Sequence, residues 1–277
     1  MNKNRKSIIS TLATLAVAIA GAALVLDLAD HDPVARADEP LPPITQPFDP
    51  TTTTSSTTTT TVRPSTTTST TPTTPTTVVS DSLRRGDTGA AVADVQRRLR
   101  SLGYWLGSAD GSYGYTTEQA VTAFQNVAGL SVDGVAAAGT RAALAGADRP
   151  STSARGDLIE VDKARQVLFV VRDGEVAWTL NVSTGTEKPY YVNGRMELAD
   201  TPEGRFKVSW LVDGTDVGEL GALYRPRYFH GDGIAVHGYH SVPPYPASHG
   251  CVRVTETAMD WIWANELLPM GATVWVH

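Results

Sequence analysis

Residues 167–182 read VLFVVRDGEVAWTLNV. Two runs rich in valine, leucine and aromatic residues flank Asp173-Gly174, a dipeptide that favours the tight turn of a two-residue β-hairpin. The stretch therefore predicts two antiparallel strands, at 167–171 and 176–182. It also indicates that the C-terminal part of the chain is built mainly from β-structure.

Similar runs surround this hairpin. They are rich in valine, isoleucine and aromatic residues and are bounded by turn residues, which predicts further strands at 158–161, 204–208, 233–236 and 273–276. Only Glu256 to Leu268 has helical spacing, with apolar residues on one side before Pro269. Residues 153–277 are thus predicted to form a mostly β, sandwich-like domain with about one helix.

Functional groups concentrate in residues 237–253, which read HGYHSVPPYPASHGCVR. Cys251 is the only cysteine, so it is a buried apolar filler, an intermolecular bridge or a free reactive thiol. Because only a few per cent of a free thiol is ionised at neutral pH, a nucleophilic cysteine needs a base or an ion-pair partner. His237 ends an apolar strand that would hold it rigidly, and it is the predicted general base and acid.

The neighbours of these two residues have supporting roles in the prediction. Gly238 offers a backbone carbonyl that can fix the tautomer of His237. Gly250 removes a side chain from the path to Cys251 and leaves adjacent N–H groups for a developing oxyanion. Ser248 and His249 are predicted to shape the loop.

Two further questions stay open at this level. Arg253 could bind a substrate carboxylate or tie down the loop. Zinc ligands could come from a scattered set of side chains: His230, Asp232, His237, His240 and His249. These residues have no known zinc-site spacing, so the sequence predicts neither a metal nor another cofactor.

The segment Ser248-His249-Gly250-Cys251-Val252-Arg253, with the upstream His237-Gly238, resembles the signature of the L,D-transpeptidase catalytic domain family (YkuD-like). Residues 182–185 and 201–206 resemble further elements of that family. The resemblance implies that Cys251 attacks a peptidoglycan stem peptide, releases D-alanine and holds the rest as a thioester. Transfer to an amine would make a cross-link, and transfer to water would make the enzyme an L,D-carboxypeptidase.

Residues 81–148 have helical periodicity. Val92, Val95, Leu99 and Leu102 share one helix face. A second helix is predicted to start with a capping box at Thr116 and Gln119 and to bury a stripe at Val121, Phe124 and Ala128, and a third starts near Thr140. Asp110-Gly111 precedes Thr117 by the same offset as Asp133-Gly134 precedes Thr140, which indicates two copies of a turn feeding a helix.

This block resembles the peptidoglycan-binding domain of the three-helix type. The resemblance rests on four segments, Leu83 to Gly89, Val95 to Leu99, Asp110-Gly111 and Ala123 to Gln125. It implies that peptidoglycan is the partner of the block. The alternative is a spacer that merely packs.

The N-terminal part is built differently. Residues 1–37 combine a charged start with an uncharged, mostly apolar run over 7–26, which predicts a signal peptide or an uncleaved signal anchor in the membrane. Residues 38–80 are mostly threonine, serine and proline with few apolar side chains, which is typical of a disordered, semi-stiff linker. The chain is therefore predicted to be exported to the cell envelope, either secreted or anchored.

The overall prediction is a multidomain chain, with a small all-α module followed by a mostly β catalytic domain. The net charge of -6 and the pI near 5.5 argue against nucleic acid as a partner. The predicted function is cysteine-dependent transpeptidation of peptidoglycan. The alternative from another class is a wall-binding protein without catalytic activity.

Overall fold

A computed structural model of the protein describes residues 82–277. The predicted signal peptide or anchor (1–37) and the predicted linker (38–80) lie outside these residues. Within 82–277, none of the helices is both long and apolar enough to cross a membrane.

The N-terminal module contains α1 (Ala90–Ser101), α2 (Tyr115–Ala128) and α3 (Ala138–Gly146), with β1 (Ser82–Leu83) paired antiparallel to β2 (Ala136–Ala137). The predicted three-helix arrangement is confirmed. Val92, Val95 and Leu99 are buried on the inner face of α1, as their spacing predicts. The predicted capping box at Thr116 is wrong, because α2 begins after Gly114 and no side chain caps it.

The two turns of the predicted repeat are held by equivalent glutamines from the preceding helices. Gln96 Nε2 donates to Thr117 Oγ1 at 2.9 Å, and Gln96 Oε1 accepts the N–H of Gly111 at 2.7 Å. Gln125 makes the same set of bonds one repeat later. The equivalent partners are Asp110, Gly111 and Thr117 for Gln96, and Asp133, Gly134 and Thr140 for Gln125.

The second part of the described chain consists of strands and one helix. The strands are β3 (Leu158–Asp162), β4 (Val167–Arg172), β5 (Glu175–Asn181), β6 (Pro189–Val192), β7 (Arg195–Leu198), β8 (Gly204–Lys207), β9 (Trp210–Leu211), β10 (Thr215–Gly218), β11 (Gly221–His230), β12 (Ile234–Tyr239), β13 (Val252–Thr255) and β14 (Thr273–Val276), and the helix is α4 (Glu256–Ala264). The predicted hairpin is β4 and β5, whose turn residues Asp173 and Gly174 both have positive φ. The predicted helix at Glu256 is present but ends at Ala264 rather than at Leu268.

Two five-stranded sheets pack face to face. One has the order β5-β4-β3-β14-β8, and the other has the order β10-β11-β12-β13 with β9 paired to β11. Leu168 and Val170 of the first sheet lie in one core cluster with Val236 and Val252 of the second sheet. The cluster also contains Met259 of α4. The part of the chain from Leu158 to Val276 therefore forms a mostly β, sandwich-like domain with one helix.

The first sheet is covered on both faces. Val167, Phe169 and Val171 point away from the second sheet and share a core cluster with the helical module. Backbone bonds join the two parts as well, since Trp105 N–H donates to Thr179 O at 3.0 Å and Thr179 N–H donates to Gly103 O at 2.7 Å. Burial on both faces explains the continuous apolar run of β4. The helical module is thus packed onto the β domain.

The longest strand, β11, was absent from the prediction, because its sequence GALYRPRYFH contains a proline and two arginines. The structure accommodates Pro226 at a bulge. Arg225 has a φ of 50°, and the pairing with β12 shifts register between Tyr224 and Arg227.

Candidate active site

The predicted base lies on β12, and the predicted nucleophile lies directly before the neighbouring parallel strand β13. In the register of β12 and β13, Val236 pairs with Val252 and His237 pairs with Arg253. Side chains alternate across a strand, so Arg253 and His237 point to the same face. Cys251 comes two residues before Arg253 and therefore shares that face. Cys251, His237 and Arg253 therefore lie on the same side of the second sheet, the side that faces away from the first.

The His237 ring is held in one tautomer. The residue is 3% exposed, and its Nδ1 lies 2.9 Å from Gly238 O. Because a carbonyl oxygen only accepts hydrogen bonds, Nδ1 carries the proton and Nε2 is left with its lone pair. The expected contact with the Gly238 carbonyl is thus present. Burial lowers the pKa of His237 to about 4, which keeps the imidazole neutral, and the bond to Gly238 O only partly offsets this.

The Cys251 thiol is also neutral at pH 7. Cys251 is partly exposed, and desolvation raises the pKa of its thiol to about 11. The backbone of Ala235 and the charge of Arg253 oppose this increase. Cys251 Sγ lies 3.7 Å from Gly233 O, its hydrogen-bond acceptor among residues 82–277. The two groups therefore rest as a thiol and a neutral imidazole rather than as an ion pair.

Ser248 fixes the turn that leads into Cys251. Its hydroxyl donates to Cys251 O at 2.6 Å and accepts the N–H of Gly250 at 3.0 Å. Ser248 is buried, as a residue that shapes the loop should be. The N–H of Gly250 is therefore occupied, and the expectation that it is free for an oxyanion is wrong, because the serine hydroxyl competes for it.

Glycine is required on both sides of the site. Gly250 has a φ of 136°, and a Cβ there would lie 2.6 Å from Asp200 O and 2.7 Å from Ile234 Cδ1. At Gly238, a Cβ would lie 2.7 Å from Tyr224 Cδ1. Both glycines let the backbone approach its neighbours more closely than any side chain would allow.

Thr201 connects three segments of the site, although the sequence indicates only that it begins the family-like segment 201–206 and predicts no role for its hydroxyl. It is fully buried, its Oγ1 accepts the N–H of Gly185 at 2.9 Å, and its hydroxyl donates to Gly250 O at 2.6 Å. The resemblance of residues 201–206 to a family element does not indicate which groups the Thr201 hydroxyl binds. Its role becomes visible only when Gly185 and Gly250, far apart in sequence, are seen to meet.

Arg253 ties down the loop. Its Nη1 donates to Ala247 O at 3.0 Å, and its guanidinium lies 4.2 Å from the centre of the Tyr239 ring. Burial lowers its pKa, although Tyr239 and Cys251 oppose this effect. The Nε atom is buried and has no hydrogen-bond partner in the described structure. Of the two roles left open by the sequence, the loop contact is the one that is formed.

The remaining histidines of the region lie apart from one another. His249 is exposed and stacks on Tyr190 of β6 at 4.7 Å, whereas His240 stacks on Tyr239 at 4.3 Å. His230 pairs with Asp232 at 3.4 Å. Within 82–277, no three side chains of the His, Cys, Asp and Glu types are grouped as metal ligands.

The helical module reaches the loop that joins the two predicted catalytic residues. The N–H of Val242 donates to Tyr115 Oη at 2.9 Å, and Gln119 Nε2 donates to Val242 O at 3.1 Å. Asn181 of β5 supports the same carbonyl from the sheet, at 3.2 Å, and also donates to Gln119 Oε1 at 2.9 Å. Val242 is fully buried, so both of its backbone groups depend on these partners. Gln119, predicted to cap α2, instead binds the catalytic domain.

Comparison with known proteins agrees with this arrangement. Residues 156–276 match the L,D-transpeptidase catalytic domain family (YkuD), and residues 88–144 match the peptidoglycan binding domain family. The crystal structure of an L,D-transpeptidase from Xylanimonas cellulosilytica (residues 123–326) is 45% identical, covers 70% of this chain and 97% of that chain, and superimposes with a TM-score of 0.68.

Shorter matches link the chain to two curated wall enzymes. The N-acetylmuramoyl-L-alanine amidase CwlL of Bacillus licheniformis is 42% identical over 78 residues, which is 27% of this chain and 22% of that protein. The spore cortex-lytic enzyme of Bacillus subtilis is 44% identical over 63 residues, which is 22% of this chain and 21% of that protein. The chain thus spans less than a third of the length of these relatives. By its fold and its sequence, it belongs to the L,D-transpeptidase catalytic domain family (YkuD-like), with an N-terminal peptidoglycan-binding domain of the three-helix type.

Proposed function

We propose that the protein is a cysteine-dependent L,D-transpeptidase that cross-links peptidoglycan stem peptides through a thioester acyl-enzyme. The observation that carries this proposal is the position of Cys251 directly before β13, next to the parallel strand β12 that carries His237, with the Nδ1–H of His237 given to Gly238 O. The family of the chain supports the same chemistry.

The first half-reaction acylates the cysteine. Rotation of the Cys251 side chain away from Gly233 O brings the thiol towards His237 Nε2, which takes its proton as the sulfur attacks the carbonyl after the diamino acid of a tetrapeptide stem. The imidazolium then gives the proton to the nitrogen of the leaving D-alanine. The carbon–nitrogen bond breaks, a thioester remains, and His237 is neutral again.

The second half-reaction releases the acyl group. His237 Nε2 takes a proton from an incoming amine, which attacks the thioester, and the sulfur leaves and recovers the proton. An amine of another stem gives a cross-link, whereas water gives a shortened stem. The lowered pKa of His237 leaves the imidazole neutral, and so able to accept a proton, throughout the physiological pH range.

The residues around Cys251 and His237 would support both half-reactions. We place the oxyanion at the backbone N–H of Cys251, since the N–H of Gly250 is bound to Ser248. Ser248 and Gly250 fix the turn that aims this group, and His249 stacks on the neighbouring hairpin. Arg253 would bind a stem carboxylate through the part of its guanidinium that is not used by Ala247 O.

The N-terminal segments and the helical module are consistent with a function outside the cytoplasm. We propose that residues 1–37 export the protein as a signal peptide or hold it as a membrane anchor, and that the linker over 38–80 extends the enzyme towards the wall. Binding of the helical module to peptidoglycan would raise the local concentration of stems at Cys251. No metal or other cofactor has a step in this mechanism.

The proposal is tested by incubating the protein with a disaccharide-tetrapeptide and identifying the products by mass spectrometry. A dimer linked through the third residue of the stem is expected, and it should be absent with Cys251→Ala. Loss of D-alanine without dimers would make the enzyme an L,D-carboxypeptidase. No product with the unaltered protein would support the wall-binding protein without catalytic activity.

A further inference from the structure

A groove separates the helical module from the loop that follows the catalytic strand β12. Its volume is about 540 Å³, and its walls come from both parts of the described chain. The module side includes Tyr115, Gln119 and Val132, and the loop side includes residues 240–244. The floor is the contact of Tyr115 and Gln119 with Val242. A ligand in the groove would therefore touch the helical module and the active-site loop together.

Two of the charges in the groove offset each other, whereas the Asp133 carboxylate forms no ion pair within residues 82–277. Arg85 forms an ion pair with Glu118 at 2.7 Å and lies over the Tyr115 ring at 4.6 Å. The Asp133 carboxylate accepts bonds from Gln125 Nε2 at 2.7 Å and from the N–H of Val135 at 2.9 Å. Both bonds are made to Oδ1, so Asp133 keeps its negative charge and a second oxygen that can accept a hydrogen bond from a hydroxyl group, and the lining disfavours an anion.

The rest of the lining suits a ligand that is both hydroxyl-rich and partly apolar. Ser241 exposes a hydroxyl, and His240 exposes a ring that can donate or accept hydrogen bonds. Pro243, Pro244 and the side chain of Val132 present apolar surfaces beside them. Pyranose rings have this combination of polar edges and apolar faces.

The groove opens next to the catalytic face. The His240 ring stacks on Tyr239 at 4.3 Å, and the Tyr239 ring meets the His237 ring edge to face at 5.9 Å. Two ring contacts thus connect the groove with the proposed general base. The two centroid distances place the His240 and His237 rings at most about 10 Å apart, which a stem segment of three extended residues can span.

We propose that this groove binds a neutral sugar unit of the peptidoglycan glycan strand, the unit that carries the stem being cleaved at Cys251. The inference rests on the proposed function and extends it, because it assigns the glycan a defined site between the module and the active-site loop. The enzyme then recognises its donor by the sugar as well as by the peptide.

The test compares two donors, a disaccharide-tetrapeptide and the free tetrapeptide, with the full chain. The unaltered protein should use the disaccharide form with a kcat/KM that is higher by about tenfold or more. Val132→Trp fills the groove from the module side and should bring the ratio of the two kcat/KM values close to one. Ser131→Trp adds the same bulk at an exposed neighbour that does not line the groove, and it should keep the ratio.

The outcomes separate this inference from the proposed function. Turnover of both donors with equal kcat/KM by the unaltered protein, or an unchanged ratio in Val132→Trp, would overturn the sugar site and leave the transpeptidase intact. No turnover of either donor would contradict the proposed function. A second measurement needs no groove variant: the free disaccharide, added to Cys251→Ala, should shift the amide NMR signals of Val132 and Ser241. Shifts confined to other surfaces, or no shifts, would also overturn the site.

Discussion

The hydroxyl oxygen of Tyr115, in the helical module, accepts the backbone N–H of Val242, in the loop between the two proposed catalytic residues, at 2.9 Å. The module therefore contributes directly to the support of the active site. Val242 is fully buried, so this N–H has no access to water if Tyr115 is lost. The contact makes the position of the loop dependent on a residue that lies 127 positions earlier in the chain.

Removal of the Tyr115 hydroxyl should reduce catalytic activity by more than the accompanying loss of folding stability explains. We expect Tyr115→Phe to lower kcat/KM by about tenfold, because a buried N–H without a partner costs about 1–3 kcal/mol and allows the loop to move. Tyr113→Phe is a matched control, since the Tyr113 hydroxyl donates to Gly134 O at 2.7 Å inside the module. It should lower the melting temperature without lowering kcat/KM. Equal losses of activity in the two variants would contradict a specific role for Tyr115.

The neutral resting state of the catalytic pair predicts a particular pH dependence of thiol reactivity. Because burial raises the pKa of the Cys251 thiol to about 11, the thiolate fraction should grow about tenfold per pH unit between pH 7 and pH 9. The rate of alkylation by iodoacetamide should grow in parallel, and His237→Asn should change it little at pH 7. A rate that is already constant above pH 5 would instead indicate a preformed thiolate–imidazolium ion pair.

The buried imidazole should make the fold sensitive to acid. The pKa of His237 is lowered from an ordinary value near 6.5 to about 4, so the unfolded chain binds a proton more readily than the folded chain between these values. The contribution of neutral His237 to the free energy of unfolding is therefore fully present above about pH 6.5, and it is lost as the pH falls towards 4. At pH 5 the loss should be about 2 kcal/mol relative to pH 7.

Chemical denaturation at pH 7 and pH 5 tests this prediction. His237→Asn should remove most of the acid-dependent loss, whereas the same change at the exposed His249 should retain it. A loss that is equal in the unaltered protein and in His237→Asn would mean that other groups dominate the acid sensitivity.

The Thr201 hydroxyl should be needed for the geometry of the nucleophile. Thr201→Val keeps the shape of the side chain but leaves the N–H of Gly185 and the carbonyl of Gly250 without their partner, at a cost of about 1–3 kcal/mol for each group. We expect a lower melting temperature and slower acylation of Cys251 in single-turnover experiments. Thr201→Ser keeps the hydroxyl and should restore the acylation rate. Failure of serine to restore it would show that the methyl group, rather than the hydroxyl, is required.

Local features of the sequence predict much of this fold. The run at 167–182 predicts a hairpin because apolar periodicity and the Asp173-Gly174 turn both lie within one short segment. The repeated Asp-Gly turns of the module are predicted for the same reason. The hairpin of β6 and β7 has an Asn193-Gly194 turn that could have been recognised, although its strands expose Tyr191, Met196 and Leu198 and lack a clear buried face.

Contacts between distant segments could not be predicted in this way. Gln119 resembles a helix-capping residue in sequence, yet it binds Val242 because α2 is packed against the sheet. Gly250 looks like the source of a free N–H until the Ser248 hydroxyl is seen to occupy it. The chemistry of Cys251 and His237 could be assigned early because it depends on residue type and short spacing, whereas their support depends on the tertiary fold.

The most direct test of the central claim is the intact mass of the protein after brief incubation with a disaccharide-tetrapeptide and quenching in acid. The covalent thioester predicts an added mass equal to the substrate minus D-alanine, located on the peptide that contains Cys251 and absent from Cys251→Ala. An unchanged mass while product forms, or an adduct on any other residue, would contradict Cys251 as the nucleophile.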